Sequence, residues 1–263
     1  MKSFFFPPRN FRDELLDLDE APYEEVRDSL SDVATVNRYL SGYRVLLHHA
    51  EKFLRRHNLD RAFTVLDAAT GSADQPIALA KLARKMGVPI KITAIDINAK
   101  MLKMAKDEIQ QYPEIRLVQC DVLALPFRDN EFDFAINNLS LHHFSWDNAV
   151  AIIKAIYKSA SLGFLVNDLH RSRIAHTVIF LLIRIFTRNR LTRYDAPVSV
   201  MNAFTPSEFR QLAKQAEIKT FEVYRHFPYR IAFLARKNNG SVSYTHLRAH
   251  ETRHDLVCRL LLE

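Results

Sequence analysis

Three acidic residues that close short apolar runs constrain this chain more than any other feature. Phe63 to Ala68 carries Asp67 near its end, Ile90 to Asp96 ends on Asp96, and Ile115 to Gln119 is followed within two residues by Asp121. Helical stretches separate these runs: Gln75 to Met86, with Gly87 placed to cap it, and Ala99 to Gln111. Phe132 to Asn137 and Leu162 to Asn167 continue the series, with Trp146 to Ser159 as the helix between them. Strands and helices alternating at these lengths predict an α/β fold, a parallel sheet covered by helices on both faces. Right-handed crossovers make that sheet doubly wound. Lys219 to His226 and Tyr229 to Ala235 add two strands with only Phe227 and Pro228 between them, so the last pair of a seven-stranded sheet is antiparallel.

The remaining chain divides around this unit. Residues 1–60 read as an N-terminal helical cap. From Val33 the apolar positions Val36, Leu40, Tyr43, Leu47, Ala50 and Leu54 form the stripe of one amphipathic helix, with Gly42 in its middle. The β/α unit spans 61–236 and contains an insertion at 170–203. That insertion carries an apolar helix, Ile174 to Phe186, flanked by Arg171, Arg173, Arg188 and Arg190. Thr205-Pro206-Ser207-Glu208 then opens a helix reaching Glu217, with threonine as cap, proline in the first turn and glutamate at the third position. Residues 237–263 are read as a non-native or disordered tail, since SYTHLRAHETRHDLVCRLLLE resembles a stretch found at the ends of unrelated chains. Its His246, His250 and His254 lack an acidic or cysteine partner at matching spacing, and no metal is expected.

Composition narrows the classes. With 48% hydrophobic and 25% charged residues the chain is neither disordered nor collagenous. Two cysteines, Cys120 and Cys258, do not make a disulfide framework and point to a reducing, cytoplasmic setting. The opening MKSFFFPPRN has too short an apolar region for a signal peptide. The run Ile174 to Phe186, broken by His176 and Arg184, falls short of the about 20 residues that span a bilayer. A soluble protein is therefore expected. The net charge of +7 favours acidic partners: an anionic membrane surface, nucleic acid or an anionic substrate.

The segment Val65-Leu66-Asp67-Ala68-Ala69-Thr70-Gly71-Ser72-Ala73-Asp74 joins the first strand to the first helix. In an open α/β sheet such a turn lies at the carboxyl ends of the strands, where the chain wraps a nucleotide. Small residues there let the backbone approach a ligand closely. Asp96, 29 residues after Asp67, can accept both hydrogen bonds of a ribose diol. A dinucleotide site needs G-x-G-x-x-G, which Ala69 to Asp74 does not supply. Asp67 and Asp74 also repel a pyrophosphate and attract a cation.

Three strands ending in acids, together with Phe132-Asp133-Phe134-Ala135-Ile136 and Leu141-His142-His143-Phe144, resemble the class I S-adenosylmethionine (SAM)-dependent methyltransferases, whose fold is Rossmann-like. The resemblance covers roughly 33–236 and is to the branch acting on quinones, sterols and other small natural products. It implies SAM as cofactor, with Asp67 and the turn Ala69, Thr70 and Gly71 holding the methionine part. Asp96 would hold the ribose with Ile97 beside it, Asp121 and Val122 the adenine, and Asn137 would line the methionine side. The family's turn usually has three glycines; Ala69 and Ala73 replace two of them and are accommodated if their φ is negative.

The implied reaction is methylation of a small lipophilic acceptor on oxygen or carbon. Methyl transfer from a sulfonium is an in-line displacement, requires neither metal nor covalent intermediate, and needs a base only for a phenol, hydroxyl or acidic carbon. The candidate bases are His142 and His143 after the fourth strand and Asp168 and His170 after the fifth, with Asp168 able to orient a histidine. Asp168 and His170 are expected to matter more than His143. The insertion helix is read as a lid over the acceptor or a peripheral membrane contact. Two other readings compete. Nucleic-acid or protein methylation draws on the net charge, but Asn137-Asn138-Leu139-Ser140 lacks the proline–aromatic signature used for flipped bases, and no nucleic-acid partner is expected. A catalytically inactive, methyltransferase-like partner protein draws on Ala69 and Ala73.

Overall fold

The computed structural model describes residues 7–9, 11–18, 20–58 and 60–237. The expectation for the tail lies outside them from Asn238 onward.

Two helices lead the chain, α1 (Tyr23–Tyr39) and α2 (Gly42–Leu54). The sheet is built from β1 (Phe63–Ala68), β2 (Ile90–Asp96), β3 (Ile115–Gln119), β4 (Phe132–Asn138), β5 (Ala160–Leu169), β6 (Phe221–His226) and β7 (Arg230–Arg236). Between the strands lie α3 (Asp74–Met86), α4 (Ala99–Glu108), α5 (Trp146–Ser159), α6 (Arg173–Phe186), α7 (Arg190–Asn202) and α8 (Pro206–Gln215). The strand order is β3-β2-β1-β4-β5-β7-β6, parallel except for β7, which runs antiparallel to both β5 and β6. The order reverses between β1 and β4, so the carboxyl ends of β1, β2, β4 and β5 gather along one edge.

Local chemistry explains most boundaries. Asn98 caps α4 by accepting the N–H groups of Lys100 (2.8 Å) and Met101 (3.2 Å). The capping box at α8 is complete: Thr205 Oγ1 accepts the Glu208 N–H at 3.3 Å, and Glu208 Oε2 accepts the Thr205 N–H at 2.7 Å. Each sheet face buries its own core. On one side Ile152 and Ile156 pack from α5, Phe209 and Leu212 from α8, and Phe204 from the link before α8. On the other, Val45, Leu46, Leu54, Leu79 and Ala83 pack from α2 and α3.

Three expectations are corrected. The helical stripe from Val33 to Leu54 is two helices: the chain breaks after Tyr39, with Ser41 in the left-handed region at φ 64°. The break lets Asn37 lie against Gly42, where a Cβ would stand 2.5 Å from Asn37 Oδ1. The cap is also not helical throughout, since residues 7–9 and 11–18 carry only turns and irregular chain. Finally, the insertion holds a second helix, α7, which its mixed sequence around Pro197 concealed.

Gly163 in β5 adopts φ +137°, and a Cβ there would stand 2.0 Å from the Ala235 carbonyl oxygen of β7. Backbone cannot yield as a side-chain tip does. Gly163→Ala is therefore expected to destabilise the fold by about 1–3 kcal/mol, read as a fall in Tm of about 2–4 °C per kcal/mol. An unchanged thermal transition would refute this reading of the β5–β7 contact.

Candidate active site

The turn after β1 begins the site. Ala69, Gly71 and Ala73 all have positive φ, at 60°, 57° and 62°. The condition for accommodating the two alanines without strain, a negative φ, is thus not met. The turn retains the backbone path of a glycine-rich loop, at a cost of about 1–2 kcal/mol for each alanine held there. Thr70 N–H donates to Ile95 O at 2.8 Å, tying the turn to β2.

Asp96 fixes the same turn from the neighbouring strand. Its Oδ2 accepts the Gly71 N–H at 2.8 Å and its Oδ1 the Asn98 N–H at 2.9 Å. Burial nonetheless raises its pKa above the usual carboxylate range. Asp67 is buried at the end of β1, and neither carboxylate oxygen has a hydrogen-bond partner among the described residues. Burial pushes this carboxyl up to about 7; the nearby Thr70 hydroxyl counteracts, while the negative charges of Asp74 and Asp96 add to the rise. An unpartnered buried carboxylate at a ligand-binding edge fits a cationic ligand that supplies the missing partner.

The other cofactor candidates are less alike. Asp121 caps the short turn Val122–Ala124 by accepting the Leu123 N–H at 2.8 Å, and Val122 is buried beneath it. Ile97 lies exposed on the rim. Asn137 is fully buried in β4; its Nδ2 donates to Ala68 O at 2.9 Å, so it braces the end of β1 rather than lying open along the cleft. Asp74 is also inward, accepting from Tyr43 Oη (2.9 Å) and Asn37 Nδ2 (3.2 Å), and burial raises its pKa. A groove bordered by Arg38, Tyr43, Ser72 and Asp74 runs between the leading helices and α3, apart from Asp67, Asp96 and Asp121.

Beyond β4 and β5 the four candidate bases separate. His142 and Asp168 pair: His142 Nδ1 stands 2.6 Å from Asp168 Oδ1, and the His142 N–H donates to Asp168 Oδ2 at 3.1 Å. Burial alone would raise the Asp168 carboxyl, but the charge and hydrogen bonds of His142 hold it below the usual range. His170 does not join them. Its N–H donates to Tyr229 O at 2.9 Å, and burial with the charges of Arg225 and Arg171 pushes its pKa down to about 4. His143 pairs with Asp17 at 2.6 Å; burial would lower its pKa, but Glu14 and Asp17 outweigh that and raise it to about 9.

Sequence reasoning missed the N-terminal partners. Glu14 is buried, accepts from Ser199 Oγ at 2.7 Å, and turns Oε1 toward His142 Nε2 at 3.7 Å and His143 Nδ1 at 3.9 Å. Arg12 is tied to α7 through Asn202, and Leu15 and Leu16 through Asp195, while Arg9 donates to the carbonyls of His142 and Phe144. Arg230, fully buried at the start of β7, donates to Asn37 Oδ1 at 3.0 Å. No local periodicity marks these residues, because their partners lie more than a hundred positions away in sequence.

Comparison with known proteins agrees with this geometry. A methyltransferase-domain family model matches residues 65–162, from β1 into β5. The ubiquinone/menaquinone biosynthesis C-methyltransferase of Rickettsia bellii is 30% identical over 167 residues, covering 58% of this chain and 66% of that protein. The 2-phytyl-1,4-naphtoquinone methyltransferase of a Nostoc species is 37% identical over 109 residues, covering 38% of this chain and 46% of that one. The chain thus spans about two thirds or less of the length of these relatives. The plantazolicin methyltransferase BpumL, solved in complex with SAH, shares the fold at TM-score 0.61 and 12% identity, over 84% of this chain and 92% of its own. Strand order, acid placement and these similarities agree: the chain belongs to the class I SAM-dependent methyltransferases.

Proposed function

We propose that the protein transfers a methyl group from SAM to a small lipophilic acceptor of the quinol or phenol kind, taking up the acceptor's proton at His142. The observation that carries the cofactor side is Asp67, a buried carboxylate with no partner of its own beside the Asp96-anchored turn. SAM supplies an electrophilic methyl on a cationic sulfonium. Asp67 attracts that cationic ligand, Asp96 keeps lone pairs for a ribose diol while holding Gly71, and Asp121 with Val122 borders the adenine end.

On the acceptor side, Asp168 Oδ1 accepts a hydrogen bond from His142 Nδ1–H, and this tautomer leaves Nε2 as the basic atom. The 3.7 Å between His142 Nε2 and Glu14 Oε1 is too long for a direct hydrogen bond. In this reading an acceptor oxygen bridges the two atoms. Positioning that oxygen against the methyl supplies much of the acceleration, up to about 7–11 kcal/mol for well-oriented pairs. The quinone-related names of the relatives support this acceptor class.

The cofactor assignment is tested by calorimetry. Asp96→Ala is expected to weaken SAM binding by about 1.5–3 kcal/mol, the scale of hydrogen bonds to a charged group. A cation binds the ionised form of Asp67, so SAM affinity should fall as pH drops below about 7, by at most tenfold per pH unit. Asp67→Asn should bind weakly and lose this dependence. A flat pH profile in the unsubstituted protein would sink the electrostatic role of Asp67.

The base is tested by turnover against a panel of quinols and phenols. His142→Ala is expected to lose about 10²–10⁴-fold in kcat with SAM affinity retained. Asp168→Asn should show a related loss, whereas His170→Ala should stay within a few fold. Activity in His142→Ala close to that of the unsubstituted protein would leave positioning alone as the source of rate.

A further inference from the structure

Helix α6 lies outside the site and concentrates apolar surface: Ile174, Val178, Phe180, Leu181, Ile185 and Phe186 are all exposed, the last two at 75% and 79%. We propose that α6 docks the protein on an anionic lipid surface. Four of these residues, Ile174, Val178, Leu181 and Ile185, follow one another at steps of four, three and four. At 3.6 residues per turn they fall within a sector of about 60°. Ile183 on the opposite side and Ala175 at the flank are buried, so α6 is anchored to the protein by its back and offers the stripe outward.

Arginines flank that stripe as an interfacial helix requires. Arg173 and Arg184 lie on the strip beside it, and exposed Arg188 follows the helix. The Arg184 guanidinium lies over the Phe180 ring, so its stem runs along the apolar surface with the charge at the edge. The acids nearest the C-terminal end sit on α1. Glu25 is paired with Arg190 at 3.2 Å, Asp32 accepts from Thr187 and Thr192, and Asp28 borders the cleft containing Phe186 and Arg188. An apolar stripe with basic flanks matches an anionic headgroup layer over acyl chains.

Other occupants fit less well. At 1.5 Å per residue, α6 is about 21 Å long, short of the about 30 Å of a hydrocarbon core. No helix among the described residues is long and apolar enough to cross a membrane. A second copy packed on this stripe would cover on the order of 400 Å², against about 800 Å² per partner in a standard interface. Lipid needs no such area. The inference deepens the acceptor reading and rests on it in one respect: a lipophilic acceptor is supplied from the same surface.

Flotation of the full chain with vesicles tests the proposal, using phosphatidylcholine alone or mixed with phosphatidylglycerol. Binding to the anionic vesicles is expected to be about tenfold stronger or more, and to weaken with added salt. Leu181→Asp and Ile185→Asp, both at exposed positions, should each reduce that binding about tenfold while the circular dichroism spectrum and Tm hold. Failure of the unsubstituted protein to bind either vesicle, or binding by both variants as strong as that of the unsubstituted protein, overturns the proposal. So does a dimer in analytical ultracentrifugation that these substitutions dissociate, which assigns the face to a second copy. SAM binding measured on the same samples separates the two readings: its loss with vesicle binding retained counts against the cofactor assignment alone.

Discussion

A carboxylate buried at the end of a parallel strand is expensive until a proton donor or a cation reaches it, and the site is organised around how each acid meets that demand. Asp96 is met by two backbone N–H groups, which turns it into the clamp of the first loop. Asp168 is met by both the ring and the backbone of His142, which makes a base-orienting pair. Asp74 is met by Tyr43 and Asn37, which ties the leading helices to the sheet edge. Asp67 alone among these four has no partner, and its raised pKa expresses that lack. One chemical demand, answered four ways, therefore separates scaffold from ligand contact.

Elements outside the sheet complete the arrangement by the same logic. Asn37 sits between Asp74 and Arg230, donating to the first and accepting from the second. Burial lowers the Arg230 pKa to about 10, against the opposing pull of Asp168 and Asp74. Arg171, buried as well, donates to the carbonyls of Pro7 and Ala203 and pairs with Glu208 at 2.6 Å. It joins the N-terminal segment, the end of α7 and the start of α8 at one point. The segment bearing Glu14 is thus held against His142 by contacts from several elements.

The sheet was legible because each of its strands is a local apolar run closed by turn chemistry. β1, β2 and β3 occur at the residues their patterns indicate, and the antiparallel end follows from a short link, three residues long where two were expected. The leading helices were misread as one because their apolar spacing continues in phase across Leu40 and Ser41, while the break depends on Asn37 meeting partners on the sheet. At the site, the acids were visible as strand ends, but which histidine Asp168 would orient was not. His170 is two residues away and His142 is twenty-six, yet β4–β5 pairing brings the distant one within reach. His170 lies beyond the end of β5, where its N–H donates to Tyr229 O, so the rule that places i and i+2 on one face of a strand does not set it beside Asp168.

The net charge of +7 also changes meaning once its carriers are placed. Arg9, Arg171 and Arg230 are drawn into the structure, donating to carbonyls, to Glu208 or to Asn37. Arg61 clamps Asp133 at the base of β4, and Arg84 clamps Glu114. None of these forms the continuous basic track that a phosphate backbone needs. The sheet edge after β1 and β2 is acidic instead, with Asp67 and Asp96 buried there, and therefore suits a cation. Exposed positive charge beside apolar surface stands on and just after α6, at Arg173, Arg184 and Arg188. A basic chain can in this way keep an acidic catalytic cleft and a basic face on separate elements, each matched to a ligand of opposite sign.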